Sequence, residues 1–500
     1  MNVVMLLEMA CDGMGDRVAV GPRSDGLTYA ALHERARRAA TLVAESGAER
    51  VGMLGINSPD VPTLLFASGT AGVPFVPINY RMADERLRAI VDRIAPALVV
   101  ADAGAAERIQ GIDGITVLTP EAFERELAST APAAEGYTDP DQVAVWLFTS
   151  GTTGEPKVAL LRHRHLVSYV LSTIEFMAAG EEEATLVSVP PYHIAGIATI
   201  LSNAYSGRRI VYLPQFEPKT WVQLSEQERI THAMVVPTML SRILDAAEEQ
   251  GATLPALHHL SYGGGRMPVP VIERAMALLP QVGFVNAYGL TETSSTIAVL
   301  GPDEHRAAFA SDDPHVRARL GSVGRPLPTL ELEIRDTDDN PLPVGETGEI
   351  YVRGDQIAGE YHGRSALTED GWFPTHDGGH LDDGGFLFVE GRLDDVIVRG
   401  GENMSPGEIE DVLLQHPMVA EAAVTGIPDD EWGEAVAAAV VLESRAAAGE
   451  AELQGWVRDR LRSSRTPTLI DIRDALPYNE TGKLMRRVLK EELAALAKSR

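Results

Sequence analysis

Residues 147–163 read LFTSGTTGEPKVALLRH. The hydroxyls of Thr149, Ser150, Thr152 and Thr153, the glycines at Gly151 and Gly154, and the ammonium of Lys157 fall within one short stretch. Backbone N–H groups freed by a glycine turn, hydroxyl donors and one cation form a cradle for phosphate oxygens. The apolar run at 143–148 reads as a buried strand, so the cradle is expected at a strand's C-terminal end, where glycine tolerates positive φ. The spacing is not that of a Walker loop, because Glu155 and Pro156 separate Gly154 from Lys157. A polar surface loop would have the same composition, so the rest of the chain must decide.

A second stretch, FVNAYGLTETSS, runs as an apolar strand to Tyr288 and Gly289 and then presents Thr291, Glu292 and Thr293. A hydroxyl and a carboxylate beside a phosphate loop suit Mg²⁺, which takes oxygen ligands and bridges to substrate phosphates. Three further pieces follow in order: GWFPTHDGG, GRLDDVIVRGGENMSPGEIE and PYNETGKLMRR.

The chain has 500 residues, 45% of them hydrophobic and 23% charged, which is an ordinary globular composition with more than one unit. Its first half alternates helical and strand periods. TYAALHERARRAATLVAESG, PDVPTLLFASGTAG and DERLRAIVDRI are helical; ERVGMLGIN, VPFVPIN and ALVVAD are strands. That rhythm predicts parallel sheets covered by helices, with ligands at the carboxyl ends of strands. From about Leu320 the alternation LELEIRDTDDNPLPVGETGEIYVRGD predicts antiparallel hairpins in a β-rich subdomain. After residue 392 a helix, a strand and two further helices predict a small α+β domain. The expected architecture is α/β: a large N-terminal domain at 1–392 and a small mobile C-terminal domain at 393–500.

The formal net charge of −29 argues against a non-specific nucleic-acid binder. The one cysteine, Cys11, excludes a disulfide framework or a cysteine-rich zinc site and fits a reducing compartment. No run reaches the ~18 apolar residues of a membrane span, and the first residues lack a basic leader pattern. Cytoplasmic residence is the expectation, with room for weak membrane contact if the substrate is lipidic.

In their fixed order the five motifs resemble the adenylate-forming superfamily of acyl-CoA synthetases, adenylation domains and beetle luciferases, over nearly the whole chain. The resemblance implies activation of a carboxylic acid with Mg·ATP to an acyl adenylate and pyrophosphate, then transfer to a thiol. It assigns Thr149, Ser150, Gly151, Thr152, Thr153, Gly154 and Lys157 to the ATP β- and γ-phosphates. Tyr288 and Gly289 fall beside the adenine, Thr291 at the α-phosphate and Glu292 at Mg²⁺. Gly263, Gly264 and Gly265 lie along adenine and the acyl pocket, Asp377 at the ribose, and Arg392 near ribose and phosphate. Lys483 resembles the lysine that stabilises charge where carboxylate meets α-phosphate. Asp394 matches the hinge about which the small domain swings, presenting Lys483 first and then the Arg399, Gly400, Gly401, Glu402 and Asn403 face to coenzyme A. His193 matches a residue beside the acyl carboxylate, although a lone histidine is more often structural.

Two positions depart from the family pattern. Val158 stands where glycine usually follows the loop lysine, and His376 replaces the glycine of a Thr-Gly-Asp run. Both bear on the ATP site more than on the fold. An amino-acid adenylating enzyme would carry a carboxylate near PPYHIAG to pair the substrate ammonium, and none is present, so a fatty or aromatic acid without an α-amino group is favoured. HIAGIATILSNAYSG, VVPTML and YGGGRMP are the expected walls of the acyl pocket. Coenzyme A is the expected acceptor, since no carrier segment is appended and the hinge region EGRLDDVIVRGG holds no insertion. A carrier-protein acceptor, luciferase-like oxygenation and a non-catalytic nucleotide- or acyl-binding module are the alternatives. A homodimer is the default oligomer for a soluble enzyme.

Overall fold

The computed structural model describes residues 1–134, 136, 138–149, 157–399, 402–429, 432–443, 447–479 and 484–499, without the side chains of Glu402 and Asn403. Among them, two large sheets share one core. The first runs, in spatial order, through Arg325–Pro326, Ser295–Leu300, Gly283–Leu290, His259–Gly263, His232–Val235, Ala184–Val187, Arg209–Tyr212, Val18–Val20 and Leu27–Thr28. Its six central strands are parallel and its outer ones antiparallel. The second has a parallel centre of Val143–Thr149, Phe75–Pro77, Arg50–Leu54, Ala97–Ala101 and Ile115–Leu118, and its antiparallel edge is formed by Lys157–Arg162, Glu360–Tyr361 and Arg364–Ser365.

Sequence accounts for that parallel centre. Ala97–Ala101 reads ALVVA and is buried at every position, as a strand covered on both faces must be. Helix Asp60–Ala71 is apolar nearly all round and lies between the layers, with Leu64, Leu65 and Phe66 at most 1% exposed. Val3, Leu6 and Leu7 from the first helix and Ile197, Ile200 and Leu201 from helix Ile194–Ser206 join the same core. They meet Val51, Phe75 and Val145 of one sheet and Val187 and Ile210 of the other.

A third, antiparallel sheet of Glu331–Arg335, Gly348–Arg353, Phe373–Leu381 and Leu387–Arg392 is the β-rich subdomain expected from the alternation after Leu320. The chain then makes a short 3₁₀ turn, Leu393–Asp395, before the small C-terminal domain. There the strand GEAVAAAVVL places Val436, Ala438 and Val440 on one face and Ala435, Ala437 and Ala439 on the other. The valine face packs against helices Pro406–Leu414 and Glu450–Arg458, and the alanine face admits Leu489 and Leu493 of helix Arg486–Ser499. That last helix starts two residues later than the periodicity of LMRRVLKEELAALAK suggests, because Leu484 forms an antiparallel bridge with Tyr478 instead.

Candidate active site

The strands on either side of the Ser/Thr/Gly motif pair antiparallel. Thr149 and Lys157 face each other at the ends of Val143–Thr149 and Lys157–Arg162, while Ser150, Gly151, Thr152, Thr153 and Gly154 lie outside the described residues. Val158 is buried and pairs with Phe148. A β-branched residue suits that strand position, so the departure from glycine needs no distorted backbone.

The TET stretch sits where Gly283–Leu290 leaves the first sheet. Thr291–Thr293 forms a 3₁₀ turn, in which Thr293 Oγ1 accepts the Leu290 N–H (2.9 Å) and donates to the Ser295 carbonyl (2.7 Å). This braces Glu292, which is 8% exposed. Its carbonyl accepts N–H groups from Ala358 (2.9 Å) and Gly359 (3.0 Å), and its Oε1 accepts the Tyr361 hydroxyl (2.6 Å). Gly263 pairs with Ala287 on the neighbouring strand, and a Cβ there would collide with the Ala287 carbonyl. Gly264 follows at φ +77°, the left-handed region that glycine favours. The two strands thus end together, bringing Gly263, Gly264 and Gly265 beside Tyr288 and Gly289.

The third sheet supplies a polar knot. Asp377 and Arg392 are register partners on adjacent strands, with Arg392 Nε 3.0 Å from Asp377 Oδ1. Arg392 also donates to the Thr375 carbonyl (2.8 Å), and the Tyr288 hydroxyl donates to Asp377 Oδ2 (2.6 Å). Burial, reinforced by the Asp377 charge, pushes the Tyr288 phenol well above its ordinary value, so it remains a donor. His376, next in the chain, has φ +59° and an imidazole that is 66% exposed and 3.1 Å from Glu349 Oε1. Its position is one glycine favours, and its side chain points outward rather than into the knot.

His193 precedes helix Ile194–Ser206 and continues an aromatic row: Tyr80 to Tyr192 at 5.8 Å between ring centroids, Tyr192 to His193 at 4.8 Å. Asp394 is exposed in the 3₁₀ turn. On the small domain Arg399 donates to the Ser464 carbonyl (2.6 Å) and lies 5.8 Å from the ring of Trp432, which is 47% exposed. Gly400, Gly401 and Lys483, with the side chains of Glu402 and Asn403, lie outside the described residues. The small domain touches the large one where Arg266 pairs with Asp411 and where the Ser405 hydroxyl donates to the Glu390 carbonyl (2.9 Å).

Three separate sheets therefore meet in one place: one brings Thr149 and Lys157, the second Gly263, Tyr288 and Glu292, the third Asp377 and Arg392. Comparison with known proteins identifies the family. A family described as AMP-binding enzyme matches residues 7–362, and the AMP-binding enzyme C-terminal domain matches residues 408–483. This chain belongs to the AMP-binding enzyme family.

Among its relatives in that adenylate-forming family is a feruloyl-CoA synthase from Amycolatopsis, 33% identical, with 94% of each chain covered. A 2-succinylbenzoate–CoA ligase from Bacillus velezensis is 31% identical over 95% of each chain. The crystal structure of ATP-bound MatB from Rhodopseudomonas palustris superposes with a TM-score of 0.87 at 27% identity, covering 99% of this chain and 100% of that one. The large N-terminal and small C-terminal domains are those of adenylate-forming enzymes.

The Glu292 carboxylate fits a Mg²⁺ ion. Glu292 offers a hard oxygen donor, and among the described residues no group of three or more acidic, histidine or cysteine side chains is gathered to hold a metal. An ion there would draw its remaining ligands from phosphate and water, as Mg²⁺ commonly does. Motif reading missed Tyr361, which touches Glu292, and Gln356, whose buried amide donates to the carbonyls of Thr293 (3.1 Å) and Thr296 (2.8 Å). Neither belongs to a motif; only the pairing of distant strands reveals them.

Proposed function

We propose that this AMP-binding enzyme is an AMP-forming acid–thiol ligase that converts an aromatic carboxylic acid to its coenzyme A thioester. The convergence of the Tyr288–Asp377–Arg392 knot with Glu292 and Lys157 supports the reading, because it gathers a carboxylate suited to ribose hydroxyls, a cation suited to phosphate and a carboxylate suited to a metal. In the first half-reaction a carboxylate oxygen of the acid attacks the α-phosphorus of ATP and the bond to the β-phosphate breaks, releasing pyrophosphate. Glu292 would hold Mg²⁺, which neutralises phosphate charge when bound; Lys157 and the loop before it would hold the β- and γ-phosphates, and Thr291 the α-phosphate. Lys483 is assigned the charge that gathers between carboxylate and α-phosphate.

In the second half-reaction the thiolate sulfur of coenzyme A attacks the acyl carbon and AMP leaves with the bonding pair. A turn of residues 393–500 about Asp394 would exchange Lys483 for the face around Arg399. The exposed 3₁₀ turn between the third sheet and the small domain supports that hinge. The aromatic row Tyr80, Tyr192 and His193 supports an aryl acid over a plain fatty chain, and the names of the feruloyl and succinylbenzoate relatives point the same way. The cytoplasm is the proposed compartment.

A panel of hydroxycinnamates, benzoates, arylacetates and fatty acids tests this. With Mg·ATP and coenzyme A, thioester mass and AMP should appear together for an aryl acid. Thioester from fatty acids alone would overturn the substrate class, and adenylate without thioester would move the acceptor to a carrier protein.

A further inference from the structure

The metal carboxylate and the phosphate-loop lysine come from different sheets, and one strap of chain touches both. Residues 356–362 are anchored to the TET turn through the Gln356 amide and through the Ala358 and Gly359 N–H groups on the Glu292 carbonyl. At its other end the strap joins the hairpin: Tyr361 pairs with Ala159, and the His362 N–H donates to the Val158 carbonyl (2.9 Å). Tyr361 itself sits at the hairpin anchor and reaches back to the TET turn. Its hydroxyl donates to Glu292 Oε1 at 2.6 Å, and its ring lies 5.8 Å from Lys157 Nζ and 5.1 Å from the Arg364 guanidinium.

We propose that Tyr361 is a positioning residue for the metal–phosphate end of the site, fixing the Glu292 carboxylate and seating the Lys157 ammonium. The inference rests on the reading of Glu292 as the metal carboxylate and Lys157 as a phosphate ligand. A carboxylate has two oxygens. With Oε1 held by the phenol, the rotation of the group is set and Oε2 is left for a cation; among the described residues no other side chain donates to Glu292. The ring is within the distance at which an aromatic face attracts an ammonium, so one side chain sets the spacing between the two groups. Tyr361 also lines a cavity of about 370 Å³ with Arg164, Glu360 and Arg364.

Mn²⁺ binding in the presence of ATP, followed by electron paramagnetic resonance, separates the possibilities in wild type, Tyr361→Phe, Glu292→Gln and the double variant. Tyr361→Phe deletes one oxygen while keeping ring and strap. It should weaken Mn²⁺ about tenfold, as loss of an outer-shell partner commonly does, while leaving metal-free ATP affinity unchanged. In the Glu292→Gln background the same substitution should add nothing. Tyr361→Leu should in addition weaken ATP itself. If Glu292→Gln weakens Mn²⁺ and Tyr361→Phe binds it like wild type, the positioning role is overturned while the metal reading stands. If Glu292→Gln itself binds Mn²⁺ normally, the metal reading fails and takes the inference with it.

Discussion

Asp377 has both carboxylate oxygens engaged by protein donors, Tyr288 on one and Arg392 on the other. Each oxygen keeps a second acceptor site, so two ribose hydroxyls can still be received. Asp377→Asn replaces one of those oxygens with a donor and removes the ion pair. The loss of a charged hydrogen bond is worth about 1.5–3 kcal/mol, so the KM for ATP should rise about 10–100-fold in a pyrophosphate-exchange assay. Lys483→Ala should abolish adenylation while sparing thioester formation from supplied acyl adenylate; equal loss of both would contradict the assignment. His376 shows the limit of residue-level reading. Its departure from glycine is visible in the sequence, and its outward exposure agrees with a solvent-facing imidazole, but its φ of +59° leaves no trace there. A left-handed backbone is unfavourable for a residue with a Cβ by about 1–2 kcal/mol, and the contact of the exposed imidazole with Glu349 returns little. His376→Gly should therefore raise stability to urea by about 1 kcal/mol with activity retained.

Elements are the most legible level. The period of TYAALHERARRAATLVAESG matches helix Tyr29–Ser46, and the apolar run before the phosphate motif matches Val143–Thr149. Hydrophobic spacing reports which face is buried, and these segments are long enough to report it clearly. Which strands lie side by side leaves no such trace. The meeting of Gly263 with Ala287, of Asp377 with Arg392 and of Tyr361 with Ala159 joins residues from separate stretches of the chain, so Tyr361 and Gln356 could not be found from spacing. Gly263→Ala tests the first of these pairings. A methyl group driven against the Ala287 carbonyl must push the neighbouring strands apart, and overpacking typically costs about 1–3 kcal/mol. Chemical denaturation should show that loss, together with a weaker ATP site; a neutral substitution would mean the strands approach less closely.

At the scale of the whole molecule, buried histidines tie stability to pH. His163, His165 and His305 are each at most 3% exposed, and burial lowers each from the ordinary 6.5 to about 4. The folded state holds them neutral, so their contribution is complete above about pH 6.5 and is lost as pH falls toward 4. The melting temperature should drop across that window, and less steeply in His305→Gln; a flat profile would contradict the burial. The acidic chain, at net charge −29, meets a polyanionic nucleotide only through local donors, so the cleft rather than the overall field must carry recognition. The measurement that tests the central claim most directly is a coupled assay with purified protein, Mg·ATP, coenzyme A and the acid panel, recording AMP and thioester mass together. The account predicts equal yields of AMP and one aryl-CoA thioester. Binding of ATP with neither product from any acid would contradict it and favour a nucleotide-binding module without catalysis.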